Sequence, residues 1–215
     1  MSRAPKPKTN RKGDKDTSQN YDRCYTPPYA IEPLLAYLSR DLVIWEPCAG
    51  AGDLARALRS RGYTVIATEL VDERRDGVIG GKNFFTWAPD HFDIIITNPP
   101  YSIKPAIYAR CEQLGCPFAL LVPVETIGSG DLHPLFERIN HQQLLLDSRV
   151  DFKMPSHMTW LEGSAQFPTF WSCRGLLDKP VAYGKIKALK KAFKREQKRL
   201  QLLADGQLEL GLLAA

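Results

Sequence analysis

Three consecutive isoleucines at positions 94–96 limit the fold of this chain more than any other feature. A short run of β-branched apolar residues is typical of a strand that is buried on both faces of a parallel sheet. The run leads into Asn-Pro-Pro-Tyr at positions 98–101. Each proline lacks an N–H group and holds the residue before it extended, so this segment predicts a stiff corner with an uncommitted carbonyl oxygen on Pro99. In α/β sheets, ligands bind at such corners, beyond the carboxyl ends of the strands.

The corner at 98–101 has the chemistry to hold a planar group that carries an NH2. The Asn98 side-chain amide and the Pro99 carbonyl offer two oxygen acceptors, and Tyr101 adds an aromatic ring beside them. Asn-Pro and Pro-Pro are also ordinary turn dipeptides, so the corner alone is equally consistent with a strand-terminating turn. The motif resembles the signature of S-adenosylmethionine-dependent methyltransferases that modify amino or amide nitrogens, above all the N6-adenine DNA methyltransferases. The residues that precede it decide between these interpretations.

Two earlier segments strengthen the resemblance. The apolar residues 42–45 predict a strand, which leads into Glu-Pro-Cys-Ala-Gly-Ala-Gly at 46–52 and then a helix from Asp53. Glycines in such a unit let the backbone approach a ligand, and the helix start offers free N–H groups. The loop resembles the cofactor loop of the methyltransferases in its Glu-Pro form. Thr-Pro-Pro at 26–28 has the order and spacing of the segment that closes over the methionine end of the cofactor in the adenine enzymes.

Two further positions extend the predicted cofactor site. A second strand ends in Glu69, roughly twenty residues beyond the glycine loop, where related folds hydrogen-bond a ribose diol. A solvated strand-end carboxylate is the alternative for Glu69, and Asp72 is the second candidate for the ribose. Asn83-Phe84 stands where the family commonly has Asp-Phe against the cofactor adenine, although a core role for Phe84 remains open. The resemblance implies that the cofactor is S-adenosylmethionine. The residues it implies for cofactor binding are Thr26, Pro27, Glu46, Pro47, Cys48, Ala49, Gly50, Gly52, Glu69, Asn83, Phe84 and Asn98.

The resemblance also implies a mechanism at the corner, with four catalytic residues: Asn98, Pro99, Pro100 and Tyr101. The amine of adenine is a poor nucleophile because its lone pair is drawn into the ring. Asn98 Oδ1 and the Pro99 carbonyl would accept its two hydrogens and face the positive charge that develops during methyl transfer. Tyr101 would stack on the base through its ring, without need of its hydroxyl. Phe167, in a segment that resembles the penultimate hairpin of the family, would add a second stacking surface.

The resemblance covers residues 25–177 and implies an α/β fold. The expected sheet is doubly wound and Rossmann-like, with seven strands that are mostly parallel and a last strand that is antiparallel. Apolar periodicity predicts a helix that begins at the Thr-Pro-Pro segment, a second over 103–114, and a basic amphipathic helix over 185–204. The final pair of strands is predicted at 149–152 and 167–173.

The basic residues are concentrated in two segments at the ends of the chain. Residues 1–24 hold seven Lys/Arg against three Asp, and residues 185–204 hold eight Lys/Arg against one Glu. These segments carry +4 and +7, so the rest of the chain carries −6 within the total of +5. We therefore predict a disordered basic arm at 1–24, a catalytic domain at 25–179 and a basic helix with a tail at 180–215. Contact with a polyanion is one interpretation of both ends; a solubilising arm and a solvated surface helix are the alternatives.

The predicted partner is nucleic acid, with DNA favoured by the resemblance. Few residues follow the catalytic domain, so the recognition sequence is expected to be short or relaxed, or to be read by residues 154–163. We also expect the protein to be a monomer. Five cysteines without a Cys-x-x-Cys pair are typical of free thiols in a reducing cytosol, which predicts the cytoplasm of a bacterium or of a phage-infected host. No apolar run has membrane length and no histidine pair has ligand spacing, so neither a membrane nor a metal is expected.

Other functions share part of this pattern. Methyltransferases of glutamine in release factors, and of bases in RNA, share the Asn-Pro-Pro corner but usually lack the Thr-Pro-Pro helix and the Glu-Pro loop. Cytosine-N4 enzymes more often have Ser in place of Asn98. A catalytically inactive relative could keep the fold as a nucleic-acid-binding platform, but it would not need Asn98, Tyr101 and the glycine loop to be intact.

Overall fold

The computed structural model describes residues 22, 24–164, 167–205 and 207. Its centre is a sheet of seven strands: β1 (Val43–Glu46), β2 (Thr64–Ala67), β3 (Ile94–Thr97), β4 (Phe118–Pro123), β5 (Gln142–Leu146), β6 (Thr169–Arg174) and β7 (Val181–Gly184). Their order across the sheet is β2-β1-β3-β4-β6-β5-β7. The predicted basic arm at 1–24 lies outside the described residues apart from Asp22 and Cys24, and most of the tail beyond residue 205 does as well.

The strand directions confirm the predicted α/β sheet of seven mostly parallel strands. Strands β1 to β4 run parallel to one another. Strand β6 runs antiparallel to both β4 and β5, while β7 runs parallel to β5. The antiparallel strand is therefore the sixth along the chain rather than the last. The short β7, which we did not predict, follows it and extends the sheet beyond β5.

The structure corrects the predicted position of one strand. The partner of β6 is β5, and residues 149–152 contribute only an isolated bridge between Phe152 and Ser164. Strand β5 pairs with β6 on one side and β7 on the other, and a side chain at its start adds further bonds although its sequence has no strict alternation. The Gln142 amide donates to the Leu177 carbonyl at 2.6 Å and accepts from the Leu177 N–H at 3.0 Å, which ties the strand to the loop after β6.

The isoleucine run is buried on both faces of the sheet, as predicted. Ile94, Ile95 and Ile96 are at most 1% exposed. Ile94 and Ile96 belong to the apolar cluster on one face, and Ile95 belongs with Trp45 to the cluster on the other face. Burying a side chain of this size stabilises the fold by roughly 1.5–3 kcal/mol. The core is therefore two layers, one on each side of the sheet.

The α-helices of the described chain are α1 (Asp53–Arg59), α2 (Lys104–Leu114), α3 (His133–Arg138) and α4 (Lys187–Ala204). The helices predicted over 103–114 and 185–204 are confirmed, each with its start shifted by one or two residues. The segment after Thr-Pro-Pro forms a 3-10 helix, Pro28–Tyr37. Pro33 inside it has no N–H to donate, so a continuous α-helical ladder cannot form there. Further 3-10 turns lie at Tyr101–Ile103, Val124–Gly128 and Trp160–Glu162.

The sheet topology brings the two sequence motifs to one place. Strand β1 lies between β2 and β3, and all three are parallel, so their carboxyl ends share an edge of the sheet. The glycine loop follows β1 directly, and the Asn-Pro-Pro-Tyr corner follows β3. This is the switch point at which ligands bind in open α/β sheets.

Candidate functional site

A cavity at this edge of the sheet is lined by residues from both motifs and from the segment before the 3-10 helix. The residues that line it are Cys24, Tyr25, Thr26, Glu46, Cys48, Ala49, Gly50, Asp53, Leu54 and Asn98. Six of the predicted cofactor-binding residues are thus brought together, among them Thr26, Glu46 and Asn98. Three others, Pro27, Pro47 and Gly52, flank these residues in the chain without lining the cavity.

The glycine loop needs glycine at two positions. Gly50 and Gly52 both have left-handed backbone conformations, with φ of +52° and +76°. A Cβ atom on Gly52 would lie 2.9 Å from Val78 Cγ2, and one on Gly50 would lie 3.6 Å from the Tyr25 ring. A longer side chain at Gly50 would occupy the space between the loop and Tyr25. The absence of a side chain at Gly50 therefore lets the Tyr25 ring lie close to the backbone of the loop.

Glu46 places an unusual carboxyl group in this cavity. It is only 2% exposed, and burial raises its pKa well above the ordinary value, although a hydrogen bond from the Ala55 N–H and the charge of Arg59 oppose the shift. Its Oε2 atom has no hydrogen-bond partner within the described residues. A buried polar atom of this kind is costly unless a ligand satisfies it. The ammonium group of a methionine moiety fits this position, because it supplies both the donor and the opposite charge.

Glu69 links the glycine loop to the end of β2. Its Oε2 accepts from the Gly50 N–H at 2.7 Å, and its Oε1 accepts from the Leu70 N–H at 2.8 Å. Each carboxylate oxygen can accept a second hydrogen bond, so a ribose diol remains compatible with these contacts. Glu69 also lines a second cleft beside the loop, together with Gly50, Val71, Glu73, Arg74, Arg75, Val78 and Gly80. Asp72, the alternative ribose candidate, is exposed and does not line either cleft.

Asn83 and Phe84 are not brought into either cleft. Asn83 is exposed on a turn, where its Oδ1 accepts from the Phe85 N–H at 2.9 Å. Phe84 is buried in the core, with its ring 5.3 Å from that of Trp45. These contacts give Asn83 a turn-forming role and Phe84 a packing role, and their contact with a cofactor stays a prediction.

The Asn98 side chain is held in one orientation by two neighbours. Its Nδ2 donates to the Cys24 carbonyl at 3.2 Å, and its Oδ1 accepts from the Tyr101 hydroxyl at 2.8 Å. The expectation that Tyr101 contributes only its ring is therefore incomplete, because the hydroxyl orients the amide. An amide oxygen has two lone pairs, so Oδ1 retains one acceptor position. The corner presents an oriented acceptor at the edge of the cavity.

The ring of Tyr101 lies among side chains from three segments. Phe167 approaches it edge-on at 5.7 Å between centroids, and Lys104 Nζ lies 5.8 Å from the centroid. Phe167 in turn contacts Phe152 at 6.4 Å. Burial raises the pKa of the Tyr101 hydroxyl well above its ordinary value, so it remains a hydrogen-bond donor at neutral pH. The structure thus places the two predicted base-stacking rings side by side.

Asp22 is a site residue that sequence reasoning missed. Its Oδ1 accepts from the backbone N–H groups of Tyr101 and Ser102 at 2.9 and 3.1 Å, and its Oδ2 accepts from the Ser102 hydroxyl. A carboxylate is favoured at the start of a helical segment, where N–H groups lack backbone partners. No local pattern indicates this role, because Asp22 belongs to a basic segment almost eighty residues before its partners. It fixes the backbone that carries Tyr101.

The two cysteines that line the cavity hold their protons at neutral pH. Burial, aided by the negative charge of Asp22, raises the pKa of the Cys24 thiol to about 11. Burial also raises the pKa of Cys48, and the nearby Glu69 and Glu46 add to the shift. A thiol attacks as the thiolate, so neither sulfur is prepared as a nucleophile. Within the described residues, no cluster of three or more metal-ligating side chains is present, and no helix is long and apolar enough to span a membrane.

Two solved structures with a similar fold are described as methyltransferases. A candidate RNA methyltransferase from Pyrococcus horikoshii aligns with a TM-score of 0.51 and 14% identity, over 69% of this chain and 83% of that one. A candidate class I S-adenosylmethionine-dependent methyltransferase from Listeria monocytogenes aligns with a TM-score of 0.50 and 15% identity, over 91% and 73% of the two chains. No protein-family model matches the sequence, and no curated protein does. The comparisons therefore show a class I methyltransferase fold.

Proposed function

We propose that this protein is an S-adenosylmethionine-dependent methyltransferase that acts on the N6 amine of adenine in DNA. One observation carries the proposal: the oriented amide of Asn98 and the glycine loop line the same cavity. A methyl donor on the loop and an amine at the corner would then meet across a short gap, which is the requirement for direct transfer. The class I fold supports the methyl-transfer chemistry, and the Asn-Pro-Pro-Tyr corner supports the amine.

The cavity residues fit the parts of S-adenosylmethionine. The unpartnered oxygen of Glu46 would hold the ammonium group, the backbone of Gly50 would face the methionine chain, and Glu69 would accept from the ribose. When bound, the cofactor supplies a methyl group on a positively charged sulfur. Glu69 places negative charge on this side of the cavity, and Glu46 would gain a negative charge when it releases its proton, which favours a cationic ligand.

Asn98 would activate the amine of the target base. The free lone pair of Oδ1 and the Pro99 carbonyl would accept the two amine hydrogens, which concentrates electron density on nitrogen. These oxygens also face the positive charge that develops on the nitrogen as it is methylated. The Cys24 carbonyl and the Tyr101 hydroxyl fix the amide beforehand, so little reorganisation is needed during the reaction.

Tyr101 and Phe167 would form the pocket for the base. In duplex DNA the target nucleotide must leave the helix before its amine can reach a buried site. An aromatic ring offers a stacking surface for the extruded base, worth about 1–3 kcal/mol. The edge-on contact with Phe167 holds the Tyr101 ring in place.

The protonated thiols favour transfer to an amine over transfer to a ring carbon. Methylation of a cytosine carbon requires a nucleophile that first adds to the base, and a thiolate is the side chain suited to it. Cys24 and Cys48 both have raised pKa values, so neither provides that nucleophile at neutral pH. An amine needs no such intermediate, because its own lone pair attacks.

The proposal is tested by methyl transfer from radiolabelled S-adenosylmethionine to three substrates in parallel. The purified protein is incubated with DNA, RNA and a release-factor protein, and the labelled product is digested and separated. We expect label in DNA, recovered as N6-methyladenine. Label in RNA, on guanine or on glutamine would contradict the proposed substrate. Cofactor binding without transfer to any of them would identify an inactive relative.

A further inference from the structure

Helix α4 carries four basic side chains that are engaged in no ion pair within the described residues. The helix holds seven Lys/Arg and one Glu. Three of the seven are engaged: Lys190 and Lys194 bind the Asp151 carboxylate at 2.8 and 2.7 Å, and Arg199 binds Glu196 at 3.4 Å. The remaining four are exposed and have no such partner: Lys187, Lys191, Arg195 and Lys198. We call these four residues the α4 stripe.

The α4 stripe lies on one face of the helix. Its members are separated by four, four and three residues, and at 100° per residue they fall within an arc of about 80°. The stripe extends over about 16 Å at 1.5 Å per residue. Duplex DNA carries one negative charge per roughly 1.7 Å of its axis, so a stripe of this length faces several phosphates at once. The spacing suits a regular polyanion.

Several contacts fix the helix to the domain. Phe193 packs against Tyr29 at 5.6 Å and against Trp160 at 5.8 Å between ring centroids. Asp151, which is 6% exposed, receives the two engaged lysines, Lys190 and Lys194. Leu200, farther along the helix, is 49% exposed.

Asp151, which holds the helix, is linked to the base pocket through two phenylalanines. Asp151 precedes Phe152, whose ring contacts Phe167, and Phe167 contacts the ring of Tyr101. The helix is therefore held by the residues next to the proposed base pocket. A duplex that delivers a base to Tyr101 would therefore lie near the segment that anchors the helix.

We propose that the α4 stripe binds the phosphate backbone of the DNA whose target base enters at the Asn98–Tyr101 corner. This inference rests on the proposed function for the identity of the polyanion. Outside its two basic end segments the chain carries a net charge of −6, so the net positive charge of the described part is concentrated in this helix. Backbone contacts position a duplex without reading its sequence, which accords with a short or relaxed recognition site.

The test measures DNA binding by fluorescence anisotropy across a range of salt concentrations. Each stripe residue is replaced singly by glutamine, which keeps helix propensity, and all four are replaced together. Each phosphate contact contributes about −0.9 to the slope of log K against log salt on duplex DNA. We expect each single variant to flatten the slope by about 0.9 and the quadruple variant by about 3.6. Arg199→Gln is the matched control on the same helix, and we expect its slope to equal that of the wild type.

Further readouts separate the inference from its alternatives. The quadruple variant should raise KM for DNA while kcat at saturating DNA and the affinity for S-adenosylmethionine stay unchanged. An unchanged slope in the quadruple variant would overturn the inference. It would also be overturned if Arg199→Gln flattened the slope as much as a single stripe variant does, because the effect would then depend on net charge alone. A larger effect on duplex RNA than on duplex DNA would also overturn it. If the wild type transfers no methyl group but the slopes change as expected, phosphate binding by the α4 stripe is supported and the proposed function is wrong.

Discussion

Glu46 is expected to couple cofactor binding to the loss of a proton. In the free protein its carboxyl group keeps the proton at pH values where an ordinary glutamate has lost it, because burial raises its pKa. The ammonium group of S-adenosylmethionine would favour the carboxylate, so binding releases the proton. Affinity should therefore rise with pH between the pKa of the occupied site and the higher pKa of the free site. Above the pKa of the free site the affinity should level off, until the ammonium group of the cofactor itself loses its proton.

The size of the effect follows from the charge of one group. Where a full proton is released, affinity rises tenfold per pH unit, which is about 1.4 kcal/mol. Glu46→Gln removes the titrating group, so its affinity should not vary with pH in this range. At high pH the variant lacks a charge-assisted hydrogen bond worth about 1.5–3 kcal/mol, which is a loss of roughly 10- to 150-fold in Kd. The two proteins should converge as pH falls.

Titration calorimetry in buffers of different ionisation enthalpy counts the released protons. Between the pKa values of the occupied and the free site, we expect the wild type to release close to one proton per cofactor bound. We expect Glu46→Gln to release none. Asp72→Asn is the matched control, because Asp72 is an exposed acid that lines neither cleft, and it should release the same number as the wild type. A wild-type affinity that is independent of pH, with no proton released, would refute the assignment of Glu46 to the ammonium group.

Three further substitutions probe the rest of the site. Tyr101→Phe keeps the base-stacking ring but removes the hydrogen bond to Asn98 Oδ1, which is worth about 0.5–1.5 kcal/mol. Single-turnover methyl transfer should therefore slow by roughly 2- to 12-fold. An unchanged rate would show that the hydroxyl does not orient the amide. Gly50→Val should abolish cofactor binding in calorimetry, because its side chain fills the space beside Tyr25, and equal affinity would remove the cofactor assignment. Asp22→Ala removes the acceptor of the Tyr101 N–H, so it should lower both the midpoint of thermal unfolding and the rate of methyl transfer. Unchanged values of both would show that Asp22 does not position Tyr101.

Local chemistry predicted the buried strand at 94–96 and the corner after it, and the resemblance supplied the seven-stranded sheet. The isoleucine run and the proline corner specify a buried strand and its end without reference to the rest of the chain. Parallel strands then bring their carboxyl ends together by topology alone, which places Gly50 near Asn98.

What the sequence did not predict depends on contacts between distant residues. Asp22 reaches the Tyr101 backbone across almost eighty residues, and the Cys24 carbonyl reaches Asn98 across more than seventy. No periodicity or motif encodes such pairs. Phe84 packs against Trp45 in the core, which is the alternative role that the sequence left open, and its contact with a cofactor stays a prediction.

The most direct test of the account is single-turnover methyl transfer to DNA by Asn98→Ala. The substitution removes the oriented acceptor and leaves the cavity-lining Glu46 and Gly50 unchanged. Loss of one preorganised group of this kind typically slows a reaction by about a hundredfold or more, ~2.7–4 kcal/mol. We expect that loss in the rate of N6-methyladenine formation, with little change in the affinity for S-adenosylmethionine. Wild-type rates in Asn98→Ala, or a methyl group recovered on cytosine, guanine or glutamine, would contradict the adenine mechanism.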